Sequence, residues 1–183
     1  MIYIVTALKP EAQAFVDYYK LKKTKLHDHT LFYNENIKLI ISGMGVANAR
    51  AATQRLINHY DITDDDIYAN IGICGAPKCY NIGELLQCGV IIYHEISYTF
   101  NSDLAVLHCV DEEQKSMQDL PVDMESFGFY DAVIHNPAIQ NFFVIKIVSD
   151  HFQPDSVTKE STKTLLFQQM QAIEKILNSK EPL

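Results

Sequence analysis

Three acidic residues stand where a carboxylate could take part in chemistry. Glu125 lies in the stretch 122–126 (VDMES), and the apolar residues after it are spaced three and four apart, as on one face of a helix. Glu11 and Asp150 each follow an apolar run. The helix dipole favours a carboxylate at a helix start, so we expect Glu125 to stay ionised. It could then bind paired hydroxyl groups such as those of a ribose. The alternative is an ordinary acidic first turn.

The elements that would position these residues alternate between strand and helix. Helices are predicted from Lys9, after Glu125, and over 46–60 and 158–178, with Asp123 and Ser126 at a capping position. The tail at 180–183 is expected to fray. The predicted strands are 1–7, 30–33, 37–42, 67–73, 90–98, 104–110 and 142–148.

Several of these strands are apolar throughout, which indicates a sheet buried on both faces. The sequence therefore predicts an α/β fold with a mainly parallel sheet, in a single domain spanning 1–183. Ligands of such sheets bind beyond the carboxyl ends of the strands. Glu11, the glycines at 43–45 and 72–75, and Asp150 are expected to collect there.

The composition and charge of the chain limit the kinds of molecule that it is expected to bind. The chain has 183 residues, is 48% hydrophobic and carries a formal net charge of −8, which argues against binding to nucleic acid or to an anionic membrane surface. No basic leader or membrane-length apolar run is visible, so a cytoplasmic location is expected. The four cysteines lack the paired spacing of a zinc site and are expected to be reduced thiols. We expect no metal and no cofactor.

Five segments follow one another in a characteristic order: 2–11, 41–45 (ISGMG), 70–75 (NIGICG), 122–126 (VDMES) and 148–150 (VSD). Their order resembles the purine nucleoside phosphorylase superfamily, most closely its methylthioadenosine/S-adenosylhomocysteine nucleosidase branch, and the chain looks like a shortened member. The resemblance implies a nucleoside phosphorylase-like fold, a three-layer α/β/α sandwich with a mixed, partly barrel-like sheet. It also implies cleavage of the N-glycosidic bond of a purine nucleoside or 5′-thio-nucleoside.

The same resemblance implies roles for individual residues. Asp150 would donate a proton toward N7 of the purine, Glu11 would activate the attacking water, and Glu125 would hold the ribose. The alternatives are a loop-capping Asp150 and a solvated Glu11. Further substrate contacts would come from Met124, for which core packing is the alternative, and from Gly72, Cys74, Gly75 and Ser149.

Hydrolysis and phosphorolysis differ in whether an anion must be bound. Asn70 stands where the phosphorylases of the superfamily carry an arginine, and Ile73 stands where both branches carry a serine. Backbone N–H groups at 43–45 could still bind an anion. Because Asn70 and Ile73 replace the arginine and the serine, the case for phosphate is weak, and we expect hydrolysis. Phosphate would be a partner only if the protein were a phosphorylase. A non-catalytic nucleoside-binding protein is the third possibility.

The middle of the chain departs from the family pattern. Only 99–103 joins the strands predicted at 90–98 and 104–110, where the family has a long loop and a helix. The segment 111–120 contains no aromatic residue, although the family's base-stacking aromatic lies there. Tyr98 or Phe100 could substitute, but packing at the sheet edge is favoured for both. By analogy with the family, a homodimer or larger homo-oligomer is expected.

Overall fold

In the computed structural model, which describes residues 1–179, helices separate groups of strands along the chain. The tail predicted to fray, 180–183, lies outside the described residues. The strands are β1 (Ile2–Thr6), β2 (Lys22–Leu26), β3 (His29–Tyr33), β4 (Ile37–Ile41), β5 (Ile67–Gly75), β6 (Leu85–Tyr93), β7 (Ile96–Thr99), β8 (Ala105–Cys109), β9 (Val122–Asp123) and β10 (Asn141–Asp150). The helices are α1 (Lys9–Tyr19), α2 (Val46–His59), α3 (Ser126–Ile134), α4 (Lys159–Gln168) and α5 (Met170–Asn178).

The strands form one mixed sheet that curls into a partial barrel. β1 lies between β4 and β5, and β5 also pairs with β10; these four strands are parallel. β10 then pairs antiparallel with β6, β6 pairs parallel with β8, and β8 pairs parallel with β9. Because β9 returns to β5 through the pair Val122 and Gly75, this half of the sheet closes. The hairpin of β2 and β3 extends the other half.

Helices cover both faces of the sheet. The apolar residues of β1 alternate, with Ile4 packing in the core that contains Phe15 of α1 and the buried residues of α4 and α5. Its neighbour Val5 packs in the second core, with Leu56 of α2 and Phe129 of α3. Burial on both faces is the reason that the strands are apolar throughout. The expected three-layer α/β/α sandwich around a mixed sheet is confirmed.

The single strand predicted at 90–98 is wrong. The chain reverses at His94 and Glu95, whose φ angles are 47° and 64°, so β6 and β7 form an antiparallel hairpin. Two-residue hairpin turns require positive φ and usually use glycine or asparagine, so nothing in this sequence marked the turn. The predicted C-terminal helix is also interrupted, at Gln169, whose side chain donates a hydrogen bond of 2.8 Å to the carbonyl of Gly83.

The short connection between the parallel strands β6 and β8 consists of β7 and a tight loop. The N–H groups of Phe100 and Asn101 both donate to the carbonyl of Gly89, each at 2.9 Å. A Cβ atom at Gly89 would lie 2.0 Å from the carbonyl oxygen of Asn101, so this crossing requires glycine. A hairpin strand and a tight loop therefore make the connection for which the sequence left only a few residues, where the family has a long loop and a helix.

Candidate active site

A cavity of about 260 Å³ opens at the carboxyl ends of β1, β5 and β10. Its wall includes Glu11 from α1, Met124 and Glu125 before α3, and Asp150 at the end of β10. The fold thus brings together the three acidic residues that the sequence singled out. The volume lies just below the range of about 300–1,000 Å³ that is common for small-molecule sites.

Glu11 is buried in the first turn of α1, which excludes the solvated alternative. Its Oε2 accepts a hydrogen bond of 2.7 Å from the N–H of Leu8, and its Oε1 accepts one of 2.9 Å from the N–H of Ile73. Burial raises the pKa of Glu11 above its usual value, while the N–H of Leu8 and the charge of Lys146 oppose that increase. The carboxyl group is therefore held in place by two backbone N–H groups, one just after β1 and one near the end of β5.

Gly72 provides the space that Glu11 occupies. A Cβ atom on Gly72 would lie 2.6 Å from Oε1 of Glu11, closer than real contacts allow. Gly72 was expected to contact substrate, but the cavity wall does not include it among the residues that the structure describes. Its role is indirect: because Gly72 has no side chain, it leaves room for the carboxylate of Glu11, which does line the cavity. Cys74, Gly75, Met124 and Ser149, the other predicted contacts, do line the cavity.

Glu125 lies at the N-cap position of α3 and turns its side chain toward the start of α2. Its Oε1 accepts a hydrogen bond of 2.9 Å from the N–H of Gly45. Burial raises the pKa of Glu125 to about 7, with Asp123 and Glu11 adding to the increase and Lys146 opposing it. The Glu125 carboxyl group is therefore harder to ionise than its place at a helix start predicted, because desolvation outweighs the favourable dipole there.

Asp123, two residues before the N-cap Glu125, binds the start of α3, as predicted. Ser126, the other predicted cap, instead begins the helix and donates its hydroxyl to Asp123. Oδ2 of Asp123 accepts hydrogen bonds from the N–H groups of Glu125, at 3.2 Å, and Ser126, at 2.8 Å. The same oxygen lies 2.8 Å from Nζ of Lys146, which is 1% exposed. This ion pair was not predicted, although a lysine inside the apolar run 142–148 was a visible signal. Buried lysine is rare without such a partner.

Glu11, Asp123, Glu125 and Lys146 form what we call the carboxylate cluster. Burial alone would lower the pKa of Lys146, but Asp123, Glu125 and Glu11 together raise it, so the ammonium group stays charged. Three carboxyl groups then share one buried cation. The excess of acidic groups suits a cationic species in the cavity and opposes an anionic one.

Asp150 is fixed by the loop that follows β10. Its Oδ1 accepts a hydrogen bond of 2.7 Å from the N–H of Gln153, and its Oδ2 accepts one of 2.7 Å from the hydroxyl of Ser149. Pairing with β5 shifts register between Val148 and Asp150, and the Ser149 hydroxyl also lies 3.1 Å from the carbonyl of Cys74. Irregularities of this kind redirect side chains at the ends of strands, and here Asp150 is directed into the cavity.

The aromatic wall differs from the sequence-based expectation. Tyr98 and Phe100 pack against Phe127, Tyr130 and Phe142 in the core beneath α3, as their sheet-edge positions favoured. Phe152 lines the cavity instead. Sequence analysis missed this residue because it follows Asp150 in a loop with no periodic pattern.

Several groups that could bind an anion already have partners within the protein. The N–H of Gly45 donates to Glu125, and the N–H of Gly43 donates to the carbonyl of Ala7 at 3.1 Å. Asn70 is buried, and its amide donates to the carbonyl of Val5 at 3.2 Å. Arg50 of α2 pairs with Asp131 of α3, with 2.6 Å between Nε and Oδ2. The anion that the glycine turn binds is the side chain of Glu125.

No protein-family model and no curated protein matches the sequence. Solved structures do match. One is the S. pneumoniae 5′-methylthioadenosine/S-adenosylhomocysteine nucleosidase with the transition-state inhibitor MT-ImmA. It matches with a TM-score of 0.80 at 15% sequence identity, over 97% of this chain and 98% of that one. The Arabidopsis thaliana 5′-methylthioadenosine nucleosidase gives 0.76 at 18%, over 98% and 96%. The Helicobacter pylori futalosine hydrolase gives 0.76 at 14%, over 94% and 97%.

At these identities the likeness shows the fold. The structural neighbours are nucleosidases of the nucleoside phosphorylase and hydrolase superfamily, and this chain shares their mixed sheet and flanking helices. Among residues 1–179, no helix has the length and apolar character needed to cross a membrane.

Proposed function

We propose that the protein is a nucleosidase that hydrolyses the N-glycosidic bond of a purine nucleoside or 5′-thio-nucleoside. The observation that carries this proposal is the meeting of Glu11, Glu125 and Asp150, from three separate elements, in one cavity. Cleavage of a glycosidic bond builds positive charge on the sugar and negative charge on the leaving base. The cavity offers buried carboxyl groups for both needs.

Asp150 is the group that protonates the leaving base. In its acid form it gives a proton to N7 as the bond between C1′ and N9 breaks, and the electron pair of that bond passes into the purine. The hydroxyl of Ser149, 2.7 Å from Oδ2, and the N–H of Gln153, 2.7 Å from Oδ1, hold the carboxyl group in position. A proton donor held in this way contributes about 10²–10⁴-fold to the rate.

Glu125 binds the ribose. Oε1 is already bonded to the N–H of Gly45, so Oε2 is the oxygen that remains for the hydroxyl groups of the sugar. The carboxylate also stabilises the oxocarbenium-like transition state more than the neutral sugar of the ground state. Met124, next to it in the wall, packs against the sugar.

Glu11 activates the water. Its ionised carboxylate accepts a proton from the water molecule whose oxygen bonds to C1′, so that the products are the free base and the free sugar. A base is most effective when its pKa lies near the working pH, and burial moves the pKa of Glu11 upward toward that range. The hydrogen bonds from Leu8 and Ile73 keep the carboxyl group aimed.

Phosphorolysis is the less favoured alternative. The backbone N–H groups of Gly43 and Gly45 are engaged, Asn70 is turned to the backbone of β1, and the carboxylate cluster repels an anion. The structural neighbours include complexes with methylthioadenosine and with methylthio-immucillin-A, which supports a nucleoside as the ligand of this protein. A cytoplasmic location and a homo-oligomeric state remain predictions from the sequence.

The experiment is to incubate the protein with methylthioadenosine, adenosine, inosine and guanosine, with and without phosphate, and to measure the released base. We expect release in the absence of phosphate. Release that requires phosphate would assign the phosphorylase activity instead. Binding without release under either condition would assign the non-catalytic nucleoside-binding alternative.

A further inference from the structure

The wall of the cavity is acidic. Within the described residues, carboxyl groups line it and no lysine, arginine or histidine does; the carboxyl groups belong to Glu11, Glu113, Asp123, Glu125 and Asp150. Lys146 lies outside the wall, and its Nζ is 2.8 Å from Oδ2 of Asp123. Within residues 1–179 the other carboxyl groups of the wall form no ion pair. The wall therefore holds an excess of acidic groups that no cation in it balances.

One buried carboxyl oxygen in this wall is available to a ligand. Glu125 is 8% exposed and lines the cavity, and its Oε1 accepts the hydrogen bond from the N–H of Gly45. Its Oε2 accepts no hydrogen bond from any group in the described part of the chain. Buried polar atoms normally have a partner. Because a carboxylate only accepts hydrogen bonds, the ligand that satisfies Oε2 must offer a donor or a positive charge.

The charge of the leaving base matters in such a cavity. A neutral base that receives no proton leaves as an anion, and the surrounding carboxyl groups repel it. A base that carries a positive charge before cleavage leaves as a neutral molecule instead. The positive charge then moves from the base to the sugar as the oxocarbenium-like state forms. The acidic wall favours that charge in either place, so a cationic base suits this cavity throughout the reaction.

We propose that the cavity selects nucleosides whose base carries a fixed positive charge, of which an N-ribosylpyridinium is the simplest. This inference rests on the proposed hydrolysis and extends it beyond neutral purines. As the bond between C1′ and the ring nitrogen breaks, its electron pair passes to that nitrogen, and the pyridinium becomes a neutral pyridine. The oxygen of water bonds to C1′, and one proton of the water passes to Glu11. Asp150 donates no proton to this base; its carboxylate and that of Glu113 attract the cation.

Binding is tested with two small ligands that the protein cannot cleave. The cation 1-methylnicotinamide differs from neutral nicotinamide by one methyl group and one positive charge. Calorimetry should give a dissociation constant at least about tenfold lower for the cation. Glu113→Gln should reduce this ratio by about 2- to 5-fold, whereas Glu112→Gln, at an exposed neighbour outside the wall, should not. Equal or weaker binding of the cation, or the same ratio in both variants, would overturn the proposal.

Turnover provides a second test, because the two kinds of base differ in their need for a proton. The protein should hydrolyse N-ribosylnicotinamide to nicotinamide and ribose in the absence of phosphate. Asp150→Asn should lower kcat for adenosine by about 10²–10⁴-fold, the contribution of a general acid. The same variant should lower kcat for N-ribosylnicotinamide by less than about tenfold, since that base leaves without a proton. An equal fall for both substrates would overturn the proposal.

The two proposals can fail separately. If the protein hydrolyses adenosine but binds 1-methylnicotinamide no more tightly than nicotinamide, the selection of a cationic base alone is overturned. If the cation binds more tightly but no nucleoside of either kind is cleaved, the hydrolase proposal fails and the selection of a cationic base stands.

Discussion

The carboxylate cluster and the loop 111–120 both contribute to the cavity, but they are built differently. The cluster is buried, and its hydrogen bonds join distant parts of the chain, such as Gly45 to Glu125, 80 residues apart. The loop is mostly exposed, and its contacts include short-range bonds such as Gln118 to Ser116 and the exposed ion pair of Lys115 with Asp155. The proposed chemistry thus belongs to the buried half of the site, which the carboxylate cluster forms. Substitutions in the exposed loop 111–120 should change the stability of the protein little.

The largest expected effect is on Asp150, beside the cluster. The Asp150→Asn variant keeps the shape of the side chain but cannot donate the acid proton, so kcat should fall by about 10²–10⁴-fold while binding of adenine changes little. Steady-state kinetics and calorimetry measure the two effects. The matched control is Asp155→Asn, at an exposed position paired with the loop, which should keep full activity. Full activity of Asp150→Asn would remove this residue from its role.

Lys146 tests whether the cluster depends on its one cation. The Lys146→Met variant would leave Asp123 buried without its counter-ion, and we expect a loss of about 3–5 kcal/mol in the free energy of unfolding. Denaturation by urea measures the loss. The control Lys115→Met breaks an exposed ion pair and should leave stability unchanged. Equal stability of the two variants would show that the buried ion pair contributes nothing.

The raised pKa of Glu125 should make the free energy of unfolding depend on pH. Its pKa rises from 4.5 in the reference state to about 7 in the folded protein, so the folded state binds this proton more tightly than the unfolded state. The resulting stability is present below about pH 4.5 and is lost as the pH rises through 7. Relative to Glu125→Gln, the wild type should therefore lose about 3 kcal/mol over that interval.

The measurement is a series of urea denaturations from pH 4.5 to 8 on both proteins. Glu113→Gln, which changes an exposed carboxylate of the loop 111–120, is the control and should follow the wild type. If Glu125→Gln and the wild type remain parallel over the whole range, burial does not perturb Glu125 as the structure indicates.

The same contrast explains what the sequence could predict. The cap formed by Asp123 and the hairpin of β3 and β4 depend on neighbouring residues, so local patterns were sufficient. The raised pKa of Glu125 was not predicted, because it depends on burial and on charges brought in by Asp123, Lys146 and Glu11. The ion pair of Lys146 was missed for the same reason. Local pattern located the acidic residues, whereas the contacts that tune them exist only in the folded chain.

The smallest expected effect is in the loop. Gln114 lines the cavity, but it holds no group of the proposed chemistry. Gln114→Ala should change the free energy of unfolding by no more than about 0.5 kcal/mol, as for other surface changes. It should alter KM for nucleosides while leaving kcat unchanged, because Gln114 lines the cavity but the carboxylate cluster is undisturbed. Gln118→Ala, in the same loop but away from the wall, should alter neither. A fall in kcat for Gln114→Ala would show that the loop takes part in catalysis and would remove the division between the two halves.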